Sequence, residues 1–455
     1  MRMNKASRLF NTISSLRKKL RSDYELSRVL KGGGVVLLIQ IAGAGLSFIA
    51  TAVVARLLGV EQYGIFAFYL SLSAVLVLFG GLGVPGAAVK FVAEYRELHD
   101  YAALKGFLRA GYWLTLATSA AIAVAAGLTT AALGVEFADA PPMLYWTAFA
   151  AIPILAIVSF FAESARGFLW PVLYEAPVRV GRPLALMLGV LALHWPEAEA
   201  DALTATAANL IGALLICSIL QVAVSVKSKP TLRGVAPRYE LSNWLGAAVP
   251  MLASRGFGFV LMEIDVLMTG LFLPARDVAL YQVAARTSFL VAMIGFAQNA
   301  ILAPRIAALF KSGKTEAVQG LLTASVRITF VLSAVFGVLL MAAGKPVLSL
   351  FGSEFANASP VLAILVISIL LTTSTGPLSI ILNMTGRQKL AAMIMGGAVV
   401  LNVVLHAIFI PLFGLFGAAL AVLSANAIMR VILLTAVRKS TGLNPSIISW
   451  RNISV

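Results

Sequence analysis

Across 455 residues the chain is 60% hydrophobic and only 12% charged, with a mean hydropathy of +0.94, which describes a polytopic membrane protein and leaves little room for a separate soluble domain. A formal net charge of +16 and a pI near 10.2 would suggest nucleic acid in a soluble chain. Here the cations cluster in alternate loops, so they report topology and no nucleic-acid partner is expected.

The N-terminal segment 1–33 places Leu9, Phe10, Ile13, Leu16 and Leu20 at helical spacing with Arg17, Lys18, Lys19 and Arg21 between them. It reads either as a basic amphipathic cytoplasmic helix lying at the inner leaflet or as a solvated charged tail. The first apolar segment is too long for the core of a cleavable signal, so the first helix is expected to remain in the mature protein. Apolar spans follow at 34–58, 65–83, 107–128, 143–165, 168–195 and 203–226. After a basic linker at 227–242 come a hairpin within 244–310 and spans at 321–350, 360–384, 390–412 and 415–437, with a tail at 438–455. The expected fold is therefore all-α, with about twelve transmembrane helices in two six-helix lobes, 34–226 and 243–437. Lys and Arg concentrate in the loops on the N-terminal side and Asp and Glu in the opposite ones, so both termini are expected in the cytoplasm.

The hairpin carries charge where lipid tolerates it least. Arg255, Glu263, Asp265 and Arg286 lie within its two helices, and a charge at the bilayer centre costs roughly 2.5 to 3.5 kcal/mol on insertion scales, so each should turn inward. Pro274 and Asp277 mark the turn, and Asp265 and Arg286 lie about equally far from it, which allows an ion pair between them. Glu263 and Asp265 are about 200° apart around the helix, so they face different neighbours. Gln298 and Asn299 fall near the level of Arg255 and could share a polar cavity with it. Glu263 and Asp265 are the candidates for coupling to H⁺ or Na⁺; no other cofactor is expected.

The two halves resemble one another. LGVEQYGIF at 58–66 follows the first span much as GLFLPARDVALY at 270–281 follows the seventh, and the sixth and twelfth spans share an Ala-Asn step at Asn209 and Asn426. The motifs ARLLGVEQYGIFAF at 55–68, GLGVPGAAVKFVAEY at 81–95, EIDVLMTGLFLPARDVALYQVAAR at 263–286, AQNAILAPRIAALF at 297–310, LNMTGRQK at 382–389 and FGLFGAALA at 413–421 run nearly the full length. In them the sequence resembles the polysaccharide flippase branch of the multidrug, oligosaccharidyl-lipid and polysaccharide exporter superfamily. The resemblance implies two lobes that open alternately and move a lipid-linked oligosaccharide from the cytoplasmic to the outer leaflet of the inner (plasma) membrane, in O-antigen or exopolysaccharide synthesis. Membrane lipids, a polysaccharide polymerase and glycosyltransferases are the partners it implies. Lipid II flippases carry arginines in the first helix, whereas here no charge stands between Lys31 and Arg56, which argues against a peptidoglycan precursor.

Inward arginines suit such a cargo, because guanidinium groups hold phosphate oxygens bidentately. The candidates are Arg255, Arg286, Arg327, Arg430 and Arg182, with Gln298 and Asn299. Arg179 either joins them or pairs with Glu175 one turn back. Arg56 and Lys90, at helix ends, read as snorkelling side chains.

Other signals fall away. Ser312-Gly313-Lys314-Thr315 resembles the end of a phosphate-binding loop, but Ala308 stands where the pattern needs glycine. His99, His194 and His406 are isolated from one another, and His406 reads as a satisfied imidazole in an apolar helix. The lone cysteine, Cys217, offers no disulfide and no metal cluster. No catalytic set assembles, and an enzyme is not expected. The alternative function is a cation-coupled multidrug exporter on the same scaffold, which should place acids within its lobes; a passive scaffold is the third reading.

Overall fold

Apolar runs of this length give the backbone no hydrogen-bonding partner in lipid except itself, and the chain is helical almost throughout. The computed structural model describes residues 3–134, 137–194 and 200–447, and the side chains of these except at 3–33, 139, 254, 255, 297, 300 and 301. The amphipathic reading of segment 1–33 and the calls on the tail beyond 447 therefore lie outside the described residues. No strand occurs among the described residues.

The first half contains α1 (Met3–Gly80), α2 (Val84–Glu97), α3 (Tyr101–Leu133) and α4 (Pro142–Gly167). It continues with α5 (Pro171–Ala176), a π-helical turn (Pro177–Gly181), α6 (Arg182–Leu193) and α7 (Ala202–Leu232). The second half contains α8 (Leu241–Phe272), α9 (Ala275–Lys311), α10 (Thr315–Ala342) and α11 (Gly344–Ser349). It ends with α12 (Ser359–Ser374), α13 (Leu378–Met384) and α14 (Gln388–Thr441). Among the described residues nine helices are long and apolar enough to cross a membrane, or ten if the two pieces of α8 count as one span.

Two of these rods, Gly34–Gly80 with 47 residues and α14 with 54, are more than twice the ~20 residues that cross a bilayer. Each is broken by one glycine in a backbone conformation that side chains avoid: Gly59 at φ 74°, ψ 172° and Gly414 at φ 59°, ψ −136°. The breaks fall where the sequence places the ends of the first and eleventh spans. Three other boundaries differ. The second span ends at Gly80, and Leu82 and Gly83, both at positive φ, turn the chain into the separate helix α2, with Pro85 in its first turn. The ninth stops at Ala342 and leaves α11 as its own short helix. The tenth is interrupted between Ser374 and Leu378, where Pro377 removes a backbone donor and restrains the residue before it.

In the first half, α4 packs against α1, α2, α3, α5 and α7 and forms the hub. The halves meet along α1 with α8 and α9. At the end remote from the chain termini, the far end, Phe48 packs edge-on to Phe351 at 5.1 Å between ring centres, and Tyr63 to Phe355 at 6.0 Å. At the terminal end the start of α8 is fastened to α2 and α3. Trp244 Nε1 donates to the Tyr95 hydroxyl at 2.8 Å, Tyr95 donates to Glu240 at 3.1 Å, and Arg238 donates to Asp100 and Glu240 at 2.6 and 2.7 Å. Asp100 also caps α3 through the Ala103 N–H. That N–H, with Arg238 beside it, holds the Asp100 carboxyl below the usual range. The Arg238 hydrogen bond, with those from Asn243 and Tyr95, does the same for Glu240. From Gly256 onward α8 turns by 46° and packs against α14 and α1.

Candidate functional site: an arginine pair between the halves

Arg286 lies eleven residues into α9 from its far end at Ala275, and Arg182 lies eleven residues from the far end of α6 at Leu193. At ~1.5 Å per residue both stand about 16 Å in, near mid-membrane for a hydrocarbon core of about 30 Å. The fold brings them together across the two halves, within electrostatic reach of one another. Arg182 follows the π-helical turn directly; the extra residue in such a turn rotates the helix face beyond it, and Pro171, Pro177 and Pro183 punctuate the same rod. Glu263 on α8 lies beside Arg286 and near the Ser71 hydroxyl of α1. Tyr63, part of the far-end aromatic seam, also lies within reach of Arg286. Neither arginine forms an ion pair within 4.0 Å among the described residues, so the trio keeps a formal charge of +1, two cations against one carboxylate.

The ion pair between Asp265 and Arg286 that equal distance from the turn allows does not form. Depth is matched but direction is not: Glu263 takes the side of α8 toward Arg286, while Asp265 turns to α14, with the His406 ring at 3.6 Å and Asn402 and the Tyr281 hydroxyl beside it. His406 is fully buried as expected, yet it is not satisfied, because its Nε2 has no hydrogen-bond partner.

Arg255, Arg430, Arg327, Gln298 and Asn299 are the remaining candidates. The Arg255 side chain lies outside the described residues, at the bend of α8. Arg430 of α14 donates to the Gly376 carbonyl at 3.0 Å, across the break between α12 and α13. Arg327 is exposed on α10 and has interactions of its own. Gln298 and Asn299 are half-buried on α9, with the Gln298 Nε2 unsatisfied. Arg179 pairs with Glu175 at 3.3 Å, and Gln40 donates to the same carboxylate at 3.0 Å. Sequence reasoning passed over Ser71, Tyr63, Tyr281 and Asn402. Only the spacing of Asn402 and His406, four residues apart on one helix face, could have pointed to a polar site there.

A sequence model of the family described as polysaccharide biosynthesis protein matches residues 29–310, and the MatE family model matches residues 250–408. A probable low-salt glycan biosynthesis flippase, Agl15 of Haloferax volcanii, is 25% identical over 407 residues, covering 87% of this chain and 81% of its own. Among solved structures, an inward-facing multidrug resistance MATE family transporter of the MOP superfamily superposes with a TM-score of 0.71 at 17% identity, covering 88% of this chain and 96% of that one. Lipid II flippase MurJ in an inward closed conformation gives 0.69 at 14% identity, covering 89% and 87%. These likenesses establish the shared fold.

Proposed function

This chain belongs to the polysaccharide biosynthesis protein family, and we propose that within it the protein is a flippase carrying polyprenyl-diphosphate-linked oligosaccharide from the cytoplasmic to the outer leaflet by alternating access. It is a multi-pass membrane protein of the flippase and exporter kind and not an enzyme. In this reading the breaks at Gly59 and Gly414 divide the long rods to give twelve crossings, with lobes at 34–226 and 243–437, a linker at 227–242 and both termini in the cytoplasm, in the inner (plasma) membrane.

One observation carries the reading: Arg182 and Arg286, one from each half, lie within electrostatic reach of one another, and neither forms an ion pair within 4.0 Å among the described residues. Two cations held close together repel, and a ligand with two adjacent anionic groups relieves that repulsion while accepting their forked N–H donors. A diphosphate is such a ligand, and a glycan attached to it would occupy the space between the halves. Because one arginine moves with each half, the cargo can be handed across as the far-end seam of Phe48, Phe351, Tyr63 and Phe355 opens and the terminal end closes. The relative in Haloferax volcanii, a probable glycan biosynthesis flippase, supports the same cargo class.

The test is the lipid-linked glycan content of membranes from cells lacking the gene, complemented with wild type or with Arg182→Ala. The reading expects completed lipid-linked glycan to accumulate in the deletion and to be relieved by wild type but not by the variant. Full relief by the variant would remove the arginine pair from the pathway, and an absence of accumulation would remove the cargo.

A further inference from the structure

A groove of about 820 Å³ runs along the first half between α7 and the rod formed by α5 and the π-helical turn. Val172, Ala176 and Pro177 form one wall and Ile219, Val222 and Ala223 the other, with Lys227 at the terminal end. Val172, Ile219 and Val222 are 55%, 54% and 62% exposed, so the groove opens outward. Its lining carries no carboxylate, and its one hydroxyl, on Ser218, is turned to the Leu214 carbonyl at 2.8 Å. Glu175, next to Ala176, is buried and faces away, held by Gln40 of α1 and by Arg179. An outward apolar recess on membrane-spanning helices faces hydrocarbon.

The groove exists because the helices part there. Farther out, α6 lies tight on α7 through small residues: a Cβ at Gly189 would meet the Ala208 side chain at 3.0 Å, and one at Gly212 the Ala185 side chain at 3.0 Å. The last such contact is Gly181, at the end of the π-helical turn, where a Cβ would meet Ile216 at 2.7 Å. Beyond it α5 packs on α1 and α4 instead, and the rod diverges from α7 toward the terminal end. Ser218 and Lys227 are nine residues apart, about 13 Å at ~1.5 Å per residue, close to the ~15 Å depth of one leaflet's hydrocarbon.

The mouth is cationic and held in place. Phe168 and Trp170 stack at 4.4 Å between ring centres, and the Lys227 ammonium lies 4.7 Å from the centre of the Trp170 ring. Lys227 has no carboxylate within 4.0 Å among the described residues. Lys229 and Arg233 follow it, both exposed, while Arg238 is engaged by Asp100 and Glu240. The apolar span ends at 226, so Lys227 stands at headgroup level, beside an aromatic pair of the kind that marks a membrane interface.

We propose that this groove binds an anionic phospholipid, with one acyl chain between α5 and α7 and the phosphate on Lys227. The chain fills the space that the splayed helices leave, and the ammonium keeps its outward N–H donors for phosphate oxygens. A zwitterionic lipid would bring a second cation against Lys227 and Lys229, whereas a phosphatidylglycerol brings none. The π-helical turn is part of the groove's wall and leads directly into Arg182, so an occupied groove braces the turn that aims that arginine. This last consequence rests on the flippase reading; the lipid site does not.

The experiment is native mass spectrometry of the full chain, purified in detergent, stripped of lipid and titrated with phosphatidylglycerol or phosphatidylcholine of identical acyl chains. One phosphatidylglycerol is expected to be retained at least about fivefold more tightly than phosphatidylcholine, the worth of one lysine at an anionic headgroup. Lys227→Gln should reduce that preference by about fivefold, and Lys227→Arg should keep it. Ala223→Phe, which fills the groove, should reduce retention of both lipids. Equal retention of the two lipids by wild type, or a preference that neither Lys227→Gln nor Ala223→Phe alters, would overturn the proposal. Tighter retention of a polyprenyl phosphate, or a dimer that forms only without lipid, would assign the groove to another occupant and overturn it too. Should Ala223→Phe fail to fold, the exposed position 227 decides alone. No cargo enters these measurements, so their failure is distinct from failure of the flippase assignment.

Discussion

The seam between the halves makes a prediction that can be worked from its geometry. A Cβ added at Gly64 would sit 1.8 Å from the Ala275 carbonyl oxygen of α9, and the obstacle is backbone, so no rotamer change relieves it. Restoring an ordinary contact of 3.4 Å requires α1 and α9 to part by about 1.6 Å, the difference of the two distances. Overpacking of this kind costs about 1 to 3 kcal/mol. That cost falls only on the state in which the far end is closed, so Gly64→Val should shift the equilibrium toward an open far end by a factor of roughly 5 to 150. The assay is thiol labelling of Phe355→Cys, a position with 1% exposure when the seam is shut, in a Cys217→Ser background with a membrane-impermeant maleimide applied to intact cells. Labelling should accelerate by that factor when Gly64→Val is added. Unchanged labelling in a properly inserted protein would refute the argument that this contact holds the far end closed.

At the terminal end, the carboxyls of Asp100 and Glu240 are held below their usual range, so their contribution is complete above about pH 4 and is lost as pH falls through the lowered values. The protection factors of the amides in 238–244, exchange rates corrected for the intrinsic pH dependence, should therefore stay flat from about pH 8 to about pH 5 and fall only at stronger acidity; a fall centred near neutrality would contradict the assignment. Arg430→Gln should cost about 1.5 to 3 kcal/mol, the worth of a charged hydrogen bond, by freeing the Gly376 carbonyl, and should appear as a lower Tm. Arg182→Ala and Arg286→Ala should each weaken cargo binding by about 10- to 100-fold, and the double variant by less than the product, because the two hold one ligand. Fully multiplicative losses would mean that they act at separate places.

Much of this molecule is readable from hydropathy because lipid imposes a single rule on the backbone: the spans end at 58 and 412, next to the breaks at Gly59 and Gly414, and Pro274 stands at the turn between α8 and α9. Arg182 and Arg286 were separately legible as inward charges, since neither can face lipid. Their juxtaposition was not, because they lie over a hundred residues apart on α6 and α9, both of which pack against α1. Depth along a hairpin suggested Arg286 for Asp265, but two helices among many leave other faces free, and α14 offered His406, Asn402 and a polar chamber. Burial of His406 in an apolar helix was predictable; the vacancy at its Nε2 depends on which atom of another helix it meets. The π-helical turn before Arg182 likewise leaves only a trace in the sequence, the prolines at 171, 177 and 183.

The central claim is that an arginine pair shared by the two halves carries an anionic lipid-linked glycan across the membrane. Its most direct test is flipping of a fluorescent polyprenyl-diphosphate-linked oligosaccharide in proteoliposomes, comparing wild type with the Arg182→Ala, Arg286→Ala double variant. The account predicts rapid loss of the label to an external glycan-modifying reagent with wild type and a rate close to that of protein-free liposomes with the variant. Equal rates from wild type and a well-folded double variant would contradict it.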